Sequence, residues 1–199
     1  MKTVSILLLS VFSLTFGDIQ QISVGDKAPS TELKMMNIDG SAVSLNDLKK
    51  KNGLCVIYSC NTCPWVIAWE DRYNELYKEC EANEIGFVLV NSNEAKRSGA
   101  DSMEEMKAHA KEKGYANFAY VVDENHVLAD AFGATKTPDV FLFNGNLELA
   151  YKGAIDDNSK NKDGVDEPYL KKAIEAVAAG KTVDPSETKA LGCSIKRTS

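Results

Sequence analysis

Hydrophobic positions fall in short blocks separated by polar turns. Leu54-Cys55-Val56-Ile57-Tyr58 is an unbroken apolar run of strand length, the pattern of a central strand covered on both faces. Pro64 then favours the first turn of a helix. Trp65, Trp69, Tyr73, Leu76, Tyr77 and Cys80 follow at three- and four-residue steps, which predicts one buried helix face. Gly86 to Val90 predicts a second buried strand. Met103 to Lys113 predicts a helix that stops at Gly114, with Ser102 and Glu105 spaced as a capping box. Phe118 to Val122 is a further strand, and Val127 to Phe132 a short helix ending at Gly133. Val140 to Phe143 and Leu147 to Tyr151 flank Asn144-Gly145 as a hairpin. Pro168 to Ala179 is a closing helix that stops at Gly180. Upstream, Asp39-Gly40 separates Leu33 to Asn37 from Ala42 to Leu45 as an N-terminal hairpin. The alternation predicts an α/β domain with a mixed central sheet flanked by helices and an N-terminal β-hairpin extension. Asp156 to Glu167 is a polar loop, and Lys181 to Ser199 a tail of no predicted element.

Composition adds little and excludes something. The chain has 199 residues, 44% hydrophobic and 26% charged, with a formal net charge of −6. That charge gives no reason to expect nucleic acid as a partner. Met1-Lys2-Thr3 followed by the apolar run Val4 to Phe16, with small residues around Gly17, has the form of a secretory signal peptide over residues 1–17. The run is short of the roughly 20 apolar residues that a membrane span needs. The expectation is an exported protein, bacterial periplasmic or secreted, with no stable membrane span after cleavage. Residues 18–180 would then form the domain, and residues 181–199 a tail packed on it or extending from it.

Five cysteines remain: Cys55, Cys60, Cys63, Cys80 and Cys193. The number is odd and the chain is large enough to fold without staples, so a redox role for one close pair fits better than a disulfide framework. Cys60-Asn61-Thr62-Cys63 lies between the buried strand and the helix that Pro64 opens. There, free backbone N–H groups stabilise a thiolate, the form that attacks disulfides. Zinc would need four ligands, and His109 and His126 lie far along the chain with no second Cys-x-x-Cys. No metal and no cofactor is therefore expected. Asp156, Asp157, Asn158, Asp163 and Asp166 do not follow the calcium-loop spacing. Cys55 and Cys80 fall on apolar faces and are expected to pack in the core. Cys193 lies in the polar tail as a spare thiol, a partner for Cys80, or an accessory resolving thiol. Trp65, beside the helix start, is placed to flank a substrate groove.

Gly25-Asp26-Lys27-Ala28-Pro29, Asp39-Gly40, Ser44-Leu45 and Cys60-Asn61-Thr62-Cys63-Pro64-Trp65 form a specific combination. Tyr120-Val121-Val122-Asp123, Phe132-Gly133-Ala134, Thr137-Pro138-Asp139, Tyr151 to Asp157 and Gly192-Cys193-Ser194-Ile195-Lys196 continue it. Over Val24 to Lys196 the chain resembles the thioredoxin-like redoxins of the AhpC/TSA type. The resemblance implies a thioredoxin-like fold and a cis Thr137–Pro138 bond facing the dithiol, where the loop offers backbone to an incoming extended peptide or disulfide. It implies thiol–disulfide exchange with protein or small-molecule disulfides and thiols, supported by an unidentified electron donor.

Two alternatives stand beside that reading. One is a thiol-dependent peroxidase centred on Cys63. Peroxidases of this resemblance carry Pro-x-x-x-Thr-x-x-Cys, and here Val56 and Cys60 occupy the Pro and Thr positions, with no obvious activator among Arg72, Arg97 and Arg197. The other is a non-catalytic binding module. The chain also departs from thioredoxins: Ser59 precedes the first cysteine, Pro64 follows the second, and Leu54 to Tyr58 contains no buried acid.

Overall fold

The computed structural model describes residues 20–198. The proposed signal segment lies outside the described residues. In chain order the elements are β1 (Met35–Asn37), β2 (Ala42–Val43), α1 (Leu45–Leu48), β3 (Gly53–Tyr58), α2 (Pro64–Trp69), α3 (Tyr73–Ala82), β4 (Ile85–Asn91) and α4 (Met103–Lys113). They continue with β5 (Ala119–Val122), α5 (Val127–Phe132), β6 (Lys136–Thr137), β7 (Asp139–Asn144), β8 (Leu149–Gly153), α6 (Tyr169–Ala178) and β9 (Cys193–Ser194).

The strands run β2-β1-β5-β4 and β3-β7-β8, and the two groups meet where β3 lies along β4 and Ser59 N–H donates to Val90 O at 2.8 Å. β4 and β5 are parallel, and the other pairs within these groups are antiparallel, so the sheet is mixed. Strand alternation divides the core between the two faces. Cys55, Ile57, Phe87, Leu89, Val140 and Leu142 point toward α2, α3, α4 and α6. Leu54, Val56, Tyr58, Val88, Val90, Phe141 and Phe143 point toward α1 and α5. This is a thioredoxin-like α/β fold.

Four local expectations are corrected. Ser44-Leu45 does not extend β2. Ser44 caps α1 instead, its hydroxyl accepting from Asp47 N–H while the Asp47 carboxylate accepts from Ser44 N–H. At α4, Ser102 Oγ accepts from Glu105 N–H at 3.2 Å without the reciprocal bond. The β7–β8 hairpin has no two-residue turn. Its strands end at Asn144 and resume at Leu149, Leu147 takes a φ of 56°, and the register slips between Leu142 and Phe143. The single helix expected after Pro64 is broken: a 3-10 turn over Glu70–Arg72 separates α2 from α3.

Two further corrections bear on the site. Asp156 is not a solvated loop residue. It is 5% exposed, accepts from Trp69 Nε1–H at 2.6 Å and pairs with Arg72 Nε at 3.2 Å. The tail from Lys181 onward contains β9, which pairs with β6 at Lys136↔Ser194 and Thr137↔Cys193. Cys80 therefore does not meet Cys193. Cys80 and Cys55 both lie fully buried, within hydrogen-bonding reach of each other, on the helix-packed face of the sheet.

Candidate active site

The site starts from β3. Its six residues are all buried, so the strand holds its end firmly and delivers Ser59 and Cys60 at the C-terminal end of a central strand, where Ser59 Oγ lies 3.2 Å from the Tyr73 hydroxyl. Cys63 is the N-cap of α2, with φ −72° and ψ 124°, and Pro64 fills the first helical position where no N–H is needed. The Cys63 carbonyl accepts the first helical bond, from Ile67 N–H at 3.0 Å. Across from the thiols, the Thr137–Pro138 bond is cis. Cys60 Sγ is 3.6 Å from Thr137 Oγ1, and Cys63 Sγ is 3.1 Å from Thr137 O.

The two thiols have opposite proton affinities. Cys63 is held well below the ordinary thiol range by a hydrogen bond from Cys60, helped by Cys193 and by Val66 N–H and opposed by burial. The Thr137 carbonyl oxygen also works against that thiolate, since it accepts only from the protonated form. The hydrogen bond from Cys60 is the largest of these influences, so the direction for Cys63 is downward. Cys60 is pushed far up, first by sharing its proton with Cys63, then by burial and by the negative charge of Asp101.

Asp101 was not visible as a site residue in the sequence. It is fully buried and accepts from Asn61 N–H at 2.9 Å, Asn91 Nδ2 at 2.9 Å and Asn93 Nδ2 at 3.1 Å. The Tyr120 hydroxyl donates to Asn61 Oδ1 at 2.8 Å, so the loop between the cysteines is clamped at both backbone and side chain. Asp101 lies in a polar stretch 40 residues beyond Asn61, with no periodic signal to mark it.

Cys60, Thr62, Cys63, Pro64, Thr137 and Cys193 line one cavity of about 180 Å³, together with Lys96 and Lys196. Of the residues singled out from sequence, Cys60, Cys63, Thr137 and Cys193 therefore come together. Pro138 is buried behind Thr137. Trp65 is 38% exposed on the outer side of α2, stacked on Trp69 with ring centroids 5.8 Å apart, and does not line that cavity. The three arginines are engaged elsewhere: Arg72 with Asp156, Arg97 with Asp101 O and Asn91 O, Arg197 with Asp130 and Ala134 O. Among the described residues, no group of three or more His, Cys, Asp or Glu is placed to hold a metal ion. No described helix is long and apolar enough to cross a membrane.

The model of the AhpC/TSA family matches residues 24–152. The chain belongs to the AhpC/TSA family. As an AhpC/TSA protein it is a thioredoxin-like redoxin, an oxidoreductase at the level of class. Its structure is similar to that of an uncharacterized conserved protein from Geobacillus kaustophilus, at 32% identity over 88% of this chain and 93% of that one, with a TM-score of 0.80. Two distant likenesses show the fold. The thioredoxin domain of a thiol-disulfide oxidoreductase from Bacteroides vulgatus matches at 18% identity, 67% and 90% coverage and a TM-score of 0.56. The peroxidoxin BcpB from Mycobacterium tuberculosis matches at 11% identity, 84% and 100% coverage and a TM-score of 0.57. The comparison with curated proteins gives no match.

Proposed function

We propose that this redoxin is a thiol–disulfide oxidoreductase that works through Cys60 and Cys63. The observation that carries the reading is geometric: two free thiols, Cys63 at the N-cap of α2 and Cys60 beside it, share one cavity and both face Thr137 of the cis Thr137–Pro138 bond. Cys63 attacks a disulfide and expels one half as a thiolate. Cys60 then gives up its proton, attacks Cys63 Sγ and releases the second half, so the substrate disulfide is reduced as the Cys60–Cys63 bond forms.

The substrates favoured are small disulfides and thiols. The strand edge beside Pro138 that the resemblance assigns to an extended peptide already carries β9 of the chain's own tail. Export remains part of the proposal, because such exchange outside the cytoplasm suits a chain whose first residues have the form of a signal peptide.

The test is titration of the reduced protein with oxidised glutathione. The expected result is release of two glutathione thiols per chain and one intramolecular disulfide that includes Cys63, with neither in Cys63→Ser. Rapid consumption of hydrogen peroxide without exchange with disulfides would overturn the proposal in favour of a peroxidase centred on Cys63. The arginines weigh against that outcome, since none lines the cavity that holds Cys63.

A further inference from the structure

Three of the five cysteines meet at one place, and the third arrives on a strand built to bring it there. β9 pairs on β6 with Cys193 opposite Thr137. Ile195 N–H donates to Thr135 O at 3.1 Å, Lys196 N–H to Asn93 Oδ1 at 2.8 Å, and Ala95 N–H to Lys196 O at 2.9 Å. The Ile195 side chain is 5% exposed in the core face that holds α5. Gly192 allows the close approach, since a Cβ there would lie 2.5 Å from Thr137 O. The result puts Cys193 and Cys63 on one cavity wall about Thr137, whose carbonyl oxygen is 3.1 Å from Cys63 Sγ and whose strand partner is Cys193. Cys60 reaches Cys63 from the buried side. Cys63 is therefore the middle sulfur of three, and Cys193, half-buried, is the most open of them, since Cys60 and Cys63 are 1% and 5% exposed.

We propose that Cys193 is a third redox thiol, which takes the disulfide from the Cys60–Cys63 pair and holds it as a Cys63–Cys193 bond at the mouth of the site. The proposal rests on the dithiol reading and adds the route by which a buried disulfide meets outside thiols. In the step, Cys193 loses its proton and attacks Cys63 Sγ. The Cys63–Cys193 bond forms, the Cys60–Cys63 bond breaks, and Cys60 leaves and takes up a proton. One disulfide replaces another, so no outside electron is needed. Burial and the Asp101 charge favour Cys60 as the protonated product. Lys196 favours the Cys193 thiolate that begins the step, against its burial. An external thiol attacking Cys193 Sγ then expels Cys63, and the sulfur with the lower proton affinity leaves faster.

The experiment is oxidation by oxidised glutathione followed by non-reducing peptide mapping of the wild type, Cys60→Ser, Cys60→Ala and Cys193→Ser. The expected result is a Cys63–Cys193 cross-link in either Cys60 variant, whichever folds better. In Cys193→Ser, the Cys60–Cys63 disulfide should form, and its reduction by glutathione should slow at least tenfold. A persistent Cys63–glutathione adduct with alkylatable Cys193 in the Cys60 variants, together with wild-type reduction rates in Cys193→Ser, would overturn the relay and leave the dithiol reading intact. Absence of the Cys60–Cys63 disulfide from Cys193→Ser, where no third thiol can take it over, would overturn the dithiol reading itself, and with it the relay.

Discussion

Cys63 and Asp139 are both shifted, in opposite senses for reactivity and stability. With its proton affinity depressed, Cys63 remains a thiolate as pH falls below the ordinary thiol range. Its alkylation by iodoacetamide should therefore stay nearly level from about pH 8 to about pH 6, where an ordinary thiol loses about tenfold per unit. Cys193, shifted upward, is the internal control and should slow steeply over the same range. Peptide-resolved mass spectrometry separates the two.

Asp139 follows Pro138 into β7 and is pushed up to about 7 by burial, with Oδ1 lacking a hydrogen-bond partner. An acid with a raised folded pKa binds its proton more tightly in the native state than in the unfolded chain. Its contribution to stability is present below about pH 4 and lost as pH rises through about 7. Asp139→Asn has no such dependence, so its melting temperature should gain on the wild type between about pH 4 and about pH 8. The ceiling is on the order of 4 kcal/mol, from the gap between 3.8 and about 7. A constant difference across that range would show that Asp139 stays ionised when buried.

At the scale of elements, Gly192 sets how close β9 comes. Gly192→Ala should push the strand off Thr137, raising Cys193 alkylation several-fold at a cost of about 1–3 kcal/mol in urea unfolding. Unchanged accessibility of Cys193 would mean that the strand gives way elsewhere.

This strand also marks the limit of what was legible from the amino acids. β3, β4, α4, α5 and α6 were legible within one or two residues, because buried runs and three-to-four spacing are strong local signals. Cys60 and Cys63 were legible because their spacing and Pro64 are local too. β6 and β9 have two residues each, and pairing across more than fifty residues leaves no period to detect. Asp101 and Asp156 were illegible for a related reason. Each sits in a polar stretch of solvent-loop composition, and only the tertiary fold closes Asn61, Asn91 and Asn93 around one, and Trp69 and Arg72 around the other.

Across the whole molecule, the Arg72–Asp156 pair ties the segment after β8 to the junction of α2 and α3. Arg72 also donates to Ala68 O at 2.9 Å and Asn158 O at 2.7 Å, so one guanidinium joins two layers. Both partners are nearly closed from solvent, at 7% and 5% exposed. Removing one would leave the other charge buried without its counter-ion, a loss of about 3–5 kcal/mol. Arg72→Met should show that loss in urea unfolding, and Arg72→Met combined with Asp156→Asn should recover part of it. A double variant no better than the single one would place the cost in the lost backbone bonds.

The stacked Trp65–Trp69 pair has an optical consequence. These are the chain's two tryptophans, both on α2, whose N-cap is Cys63, and Trp65 directs its backbone N–H at Cys193. All of the indole emission therefore originates within two helical turns of the reactive sulfurs. Thiolates and disulfides quench excited indoles at short range, so the unlabelled protein carries its own fluorescent gauge of which sulfurs are joined, readable in a stopped-flow cuvette during turnover.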